Sequence, residues 1–179
     1  AYSQRFDKFI ACLGIKTLSI TDIDTIDVKG EKCRVAEGVS YSNSAISHYF
    51  GSVTLDDLKS YTLNDKIFDK VNNAWVVQNN GKLCIAYQTK ENEYNARSFE
   101  DAFIHINRNF VNTNRTEFMG LKNKESFDDT NMDAFYLAAN CVKKKTYFAM
   151  DILFHTNDKY DNWQIPSYIR EGLLWLKKD

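Results

Sequence analysis

The feature that most constrains this chain is a short apolar strand running straight into a pair of carboxylates. Lys16-Thr17-Leu18-Ser19-Ile20-Thr21 has the apolar, β-branched character of a strand and ends on Asp22-Ile23-Asp24. Ahead of it, Phe6, Phe9, Ile10 and Leu13 recur at helical spacing, predicting a helix over Tyr2 to Leu13, and Gly14 stands where that helix would stop. Helix, glycine, strand and acidic tip make an α/β unit, whose strands are usually parallel and buried. The expectation is a mostly parallel sheet flanked by helices. Its functional site would lie at the carboxyl ends of the strands, where open α/β sheets place theirs. Two carboxylates one residue apart at such an end suit a hard divalent cation. The plain alternative is a turn, since Asp is common where strands end.

At 179 residues the chain has the length of one domain and can bury a core without disulfides or a structural metal. Asp27 to Asn43 is polar and broken by Gly30 and Gly38, predicting a long loop. A short helix should follow through Ile46 to Phe50, capped by Ser42 or Asn43, and another should start at Thr54. Asp65 to Val71 reads as a third helical piece. Trp75 to Gln78 and Lys82 to Gln88 read as a hairpin closed by Asn79-Asn80-Gly81. Ser98 opens a helix whose apolar stripe is Phe99, Ala102, Phe103, Ile106 and Phe110. Asn112 to Asp129 is polar and reads as loop. Helices are expected over Met132 to Val142, over Lys145 to Phe154, and from Pro166 through Leu176. The chain thus divides into a core over residues 1–111 and a helical C-terminal part over 112–179, within a single domain.

Three further stretches bear on chemistry. In Ser98-Phe99-Glu100-Asp101 the serine can cap the helix with Asp101 three residues on, and acidic residues there also suit the helix dipole. On the other reading, Glu100 aims at the cation of the Asp pair. Lys143-Lys144-Lys145 places three cations at a helix N-terminus, where the dipole opposes them, which hints at a bound phosphate. His48, His105 and His155 lack metal-ligand spacing. The net charge of −1 excludes a uniformly basic nucleic-acid binder, but not a site that meets DNA through metal ions and a local basic patch. Cys12, Cys33, Cys84 and Cys141 are scattered and read as free thiols of a reducing cytosol. No membrane span, signal peptide or Gly-rich phosphate loop occurs in the sequence, so any ATPase would lie outside it.

Four blocks, in order, resemble the Toprim domains of OLD-family ATP-dependent DNA endonucleases. They are Leu13 through Asp22-Ile23-Asp24, Ala96-Arg97-Ser98-Phe99-Glu100-Asp101-Ala102-Phe103-Ile104, Lys145-Thr146-Tyr147-Phe148-Ala149, and the tail Trp163 to Leu176. The resemblance implies a Toprim-like α/β fold and two-metal phosphodiester hydrolysis using Mg²⁺ or Mn²⁺. Asp22, Asp24 and Glu100 would be metal ligands, with Ser98, Asp101 and Lys144 close by and Lys145 stabilising charge on the phosphate. It also implies DNA as substrate, an upstream ABC-type ATPase in the same polypeptide that binds ATP, a homodimer, a cytoplasmic setting and a part in anti-phage defence. Toprim domains carry a Glu at the end of an earlier strand, which this chain lacks. Glu37-Gly38 lies downstream of the Asp pair and does not take that role.

Two other readings stay open. Asp22-Ile23-Asp24-Thr25-Ile26 also resembles the first motif of haloacid-dehalogenase-type phosphatases. Asp22 would then be nucleophile, Asp24 general acid, Lys145 the charge partner and Asp128-Asp129 the Mg²⁺ ligands. The third reading is a non-catalytic dimerisation or docking module.

Overall fold

A computed structural model describes residues 3–178. The first helix is shorter than its spacing predicts: a 3-10 turn over Ser3–Phe6 leads into α1 (Asp7–Leu13), and Tyr2 lies outside the described residues. Gly14 ends it in the left-handed region at φ 58°, its N–H donating to the carbonyl of Ile10. After it come β1 (Thr17–Ile20), β2 (Thr25–Ile26), β3 (Ser40–Tyr41), α2 (Ser44–Phe50), α3 (Leu55–Ser60), β4 (Ile67–Val71), β5 (Ala74–Val77), β6 (Leu83–Ala86), β7 (Lys90–Glu91) and β8 (Tyr94–Asn95). The C-terminal run is helical: α4 (Phe99–Ile106), α5 (Arg108–Asn114), α6 (Ala134–Cys141), α7 (Lys145–Phe154) and α8 (Ser167–Lys177).

The main sheet has the order β1-β6-β4-β5. The α/β class holds, with the parallel character confined to one pairing. β1 runs parallel to β6, with Leu18 opposite Cys84, while β4 is antiparallel to both β6 and β5. All four residues of β6 are buried. On one face of the sheet Phe68, Leu83 and Ile85 pack with Tyr49 of α2. On the other, α8 sets Trp175 and Tyr168 against Leu18, Cys84 and Ala86.

Two local expectations are corrected. Asp65 to Val71 is not helical: a single 3-10 turn over Asn64–Lys66 gives way to β4, whose Ile67 and Phe68 are buried. The hairpin joins β4 to β5, not β5 to β6. Its turn is Asn72-Asn73, both at positive φ (50° and 65°), the geometry that matches strand twist. Asn79-Asn80-Gly81 instead carries the chain across β4. Val77 at the end of β5 and Leu83 at the start of β6 both lie opposite Phe68, one on each side of it. The crossing is so close that a Cβ on Gly81 would sit 2.3 Å from the carbonyl oxygen of Phe68, so only glycine fits.

The helical half has its own apolar cluster, with Phe103 of α4, Leu137 of α6 and Phe148 of α7 fully buried. Burying a side chain of this size stabilises by about 1.5–3 kcal/mol. The stripe expected to run unbroken to Phe110 is interrupted at Asn107. Its buried side chain accepts from the N–H of Gln164 (2.6 Å) and donates to its carbonyl (2.8 Å), and α5 restarts beyond it. The polar stretch 112–129 is not all loop. α5 continues to Asn114, a 3-10 turn covers Lys124–Asp128, and Phe118, Leu121 and Phe127 plug the cluster. Among the described residues no helix is long and apolar enough to cross a membrane, and all four cysteines are unpaired.

Candidate functional site

Past the end of β1 the parallel ladder continues for one residue, as the N–H of Thr21 donates to the carbonyl of Ala86 at 2.9 Å. Ile23 then buries its side chain among Val35, Ile46 and Tyr87. Its neighbours Asp22 and Asp24 both line one hollow beside it. Asp24 turns the chain with φ 55°, a left-handed conformation that Asp tolerates. Asn43, the N-cap of α2, accepts from the N–H of Ala45 and donates to Thr21 Oγ1 (2.8 Å) and to the Asp22 carbonyl. The helix start thus pins the acidic tip.

Asp22 is the hub. Its Oδ1 accepts from the Gln88 amide (2.8 Å) and from the N–H of Phe99 at the first turn of α4 (2.8 Å). Gln88, 4% exposed, also accepts from the N–H of Ile23 (2.8 Å) and donates to the Tyr168 hydroxyl (3.2 Å). Lys145, the first residue of α7, sets its ammonium 2.8 Å from Glu100 Oε2 and 3.9 Å from Asp22 Oδ2. Acidic groups from positions 22 and 100 therefore converge on one cationic head. The third member of the acidic set stands slightly apart: Asp24 pairs with Arg97 at 3.2 Å.

The electrostatics follow from this crowding. Burial raises the Asp22 pKa, Lys145 and Gln88 oppose the rise, and Glu100 and Asp24 add to it. Burial works against charge on Lys145. The hydrogen bond and attraction of Glu100, with Asp22 and Asp24, outweigh it and raise its pKa. This pairing explains why a cation tolerates the start of α7 against the dipole. Lys144 does not join: its ammonium lies over the Tyr147 ring, 4.6 Å from the centroid.

Ser98 caps α4 as its position predicts, accepting from the N–H of Asp101 at 3.5 Å. The return bond of a capping box is displaced by one residue, for Asp101 Oδ2 accepts from the N–H of Arg97 (2.9 Å). Asp101 is 1% exposed, and its Oδ1 has no partner among the described residues. Desolvation lifts its pKa to about 7, against the opposing pull of Arg97.

Two hollows adjoin the hub. One, about 260 Å³, is lined by Asp22, Asp24, Asn43, Phe99 and Tyr168. The other, about 140 Å³, lies between the start of α4 and α6 and includes Glu100, Asp101 and Lys145.

Hard oxygen donors are the right chemistry for Mg²⁺ or Mn²⁺. Yet among the described residues no three His, Cys, Asp or Glu side chains stand close enough to hold a metal ion as they are. The Lys145 ammonium is the cation between Asp22 and Glu100, and its side chain, on a flexible four-carbon stem, is 67% exposed. Asp128 and Asp129, the ligands a dehalogenase-type site would need, are engaged elsewhere. Asp128 forks onto Arg115 (2.8 Å), and Asp129 accepts from the N–H of Asn131 (2.9 Å).

Sequence reasoning missed Gln88, Tyr168, Arg97 and the reach of Asn43 to the acidic tip. The only local signal among them is the capping position of Asn43.

Comparison with known proteins finds Endonuclease GajA of Bacillus cereus (strain HuB5-5), 26% identical over 190 residues. The match covers 99% of this chain and 26% of that protein's length. No family profile matches the chain, and no solved structure does.

Proposed function

We propose that this chain is the Toprim-type cutting part of a metal-dependent DNA endonuclease. The observation that carries the reading is the meeting of Asp22, Glu100 and Lys145 at 2.8 and 3.9 Å, from three separated stretches of chain. The likeness to an endonuclease over nearly the whole chain supports it. Asp22, Asp24 and Glu100 would hold one or two Mg²⁺ or Mn²⁺ ions once Lys145 turns outward. Bound metal would supply Lewis-acid stabilisation and a water nucleophile at neutral pH. Lys145, once displaced, is placed to neutralise charge on the phosphate. Gln88 and the N–H of Phe99 fix Asp22 in either arrangement. An upstream ATPase, a homodimer, a cytoplasmic setting and a defence role belong to the same proposal for the full-length protein.

The test is nicking of supercoiled plasmid by the full-length protein with Mg²⁺ or Mn²⁺, against an EDTA control. Asp22→Asn and Glu100→Gln should each lower the rate by about 10²-fold or more, and Lys145→Ala by a comparable factor. Wild-type cleavage by both carboxylate variants would sink the reading. Turnover of a small phosphomonoester through a trapped aspartyl-phosphate on Asp22 would favour the phosphatase instead.

A further inference from the structure

We propose that the cavity of about 140 Å³ between α4 and α6 is a pocket for one extruded pyrimidine base, cytosine before thymine, next to the phosphate being cut. The proposal rests on the DNA-cleaving reading and deepens it.

Size comes first. A cavity of roughly 150 Å³ accepts a benzene-sized ring, so this one admits a single six-membered ring and crowds a fused purine. The walls fit a base. Phe135, Ala138, Ala139 and Val142 give an apolar surface from α6 and its end, against which a flat ring can lie. Ser98 and Asp101, from the start of α4, line it as well.

Asp101 supplies selectivity. Arg97 satisfies Oδ2, but Oδ1 is buried without a partner. Native structures seldom leave such an atom orphaned, and because Asp101 lines the cavity a ligand seated there can bring the donor once the carboxylate turns toward it. A carboxylate accepts naturally from the cytosine 4-amino group. Thymine offers a ring N–H flanked by two carbonyl oxygens, which a carboxylate repels, and its methyl adds bulk.

Charge at the rim fits the rest of the nucleotide. Lys32 lines the cavity, is exposed, and makes no ion pair among the described residues. Lys145 lines it too. Together they suit the phosphate attached to the seated base. Because Glu100 and Lys145 belong both to this wall and to the acidic hub, the base held here would belong to a nucleotide at the cut. Extruding a base costs least from single strands or mismatches, so such substrates should be preferred.

The experiment measures anisotropy of short fluorescent oligo(dC), oligo(dT) and oligo(dA) strands with the protein at pH 8 in EDTA. Oligo(dC) should bind roughly tenfold more tightly than the others. Ala139→Trp, which fills the cavity from a half-buried helix position, should erase that preference. Asp101→Asn, which keeps an acceptor for Arg97 and presents an amide donor to the ring, should erase it without filling the space. Equal binding of all three strands overturns the pocket, as does binding of none, or a cytosine preference that survives both substitutions. Plasmid nicking read alongside separates the two levels. Metal-dependent nicking with no base preference removes only the pocket, whereas nicking that ignores Asp22→Asn and Glu100→Gln removes the parent reading.

Discussion

Gln88→Ala should destabilise this protein more than any other single deletion of an uncharged polar side chain at the site. Three bonds converge on that amide: from the N–H of Ile23 at 2.8 Å, to Asp22 at 2.8 Å and to Tyr168 at 3.2 Å. Removing it orphans the Ile23 N–H beside a buried side chain, a loss of about 1–3 kcal/mol. The lost bond to Asp22 is charge-assisted, about 1.5–3 kcal/mol in a dry site. It should be discounted here because the Asp22 side chain keeps some exposure and can recruit water. The Tyr168 hydroxyl adds less, since a weak bond is lost. The sum is about 3 kcal/mol. With a urea slope of roughly 2–3 kcal/mol/M, the midpoint should fall by about 1–1.5 M. Gln88→Glu is the sharper companion. It keeps the acceptor for Ile23 but sets a second carboxylate against Asp22, so it should lose more stability than wild type between pH 5 and pH 8. A stability of Gln88→Ala within about 0.5 kcal/mol of wild type would refute the account, as would a loss between pH 5 and pH 8 no larger for Gln88→Glu than for wild type.

Other outcomes follow from the same geometry. The Asp101 pKa is raised in the fold to about 7, so between the ordinary carboxylate value and 7 the native state holds a proton that the unfolded chain has released. Stability conferred by that site is therefore full at low pH and declines as pH rises through this window. In EDTA, denaturation midpoints should fall less between pH 5 and pH 8 for Asp101→Asn than for wild type, and parallel curves would dismiss the idea. Lys66 is 3% exposed, lies 4.0 Å over the Tyr87 ring, and burial lowers its pKa to about 8. Here the unfolded state binds the extra proton, so wild-type stability should climb from pH 8 to pH 10. Lys66→Met should be about 1–3 kcal/mol more stable at pH 7, with a flatter alkaline profile, by thermal melting. Gly81→Ala forces a methyl against the Phe68 carbonyl and should lose about 2–4 kcal/mol in the same assay, a value near zero meaning that the β4 crossing is looser than described.

What the sequence disclosed was local. β1 and its acidic tip could be read because an apolar run and two carboxylates share nine residues. Ser98 was legible as a cap, and Lys145 stood out because it opposes the dipole of its own helix. β4 was misread because Ile67, Phe68 and Val71 satisfy a helical period as well as a strand, and only pairing with β5 and β6 decides. Two asparagine-rich turns competed for the hairpin, and the one lacking glycine won. Gln88 carried no signal, being a lone amide after a strand whose partners are 65, 66 and 80 positions away. Phe118, Leu121 and Phe127 looked isolated among polar residues, yet they meet α4 and α7 in three dimensions. Asp101 read correctly as part of a helix start, but nothing local reveals an orphan oxygen.

The anchoring of Asp22 has a consequence for the timing of biogenesis. Its supports emerge from the ribosome in the order Gln88, Phe99, Lys145 and, through Gln88, Tyr168, which lies in α8. Synthesis runs from the N-terminus, so Tyr168 follows the other three. A nascent chain stalled before α8 would display the acidic tip without its full brace, and the completed hub would come into being only once α8 is free to dock.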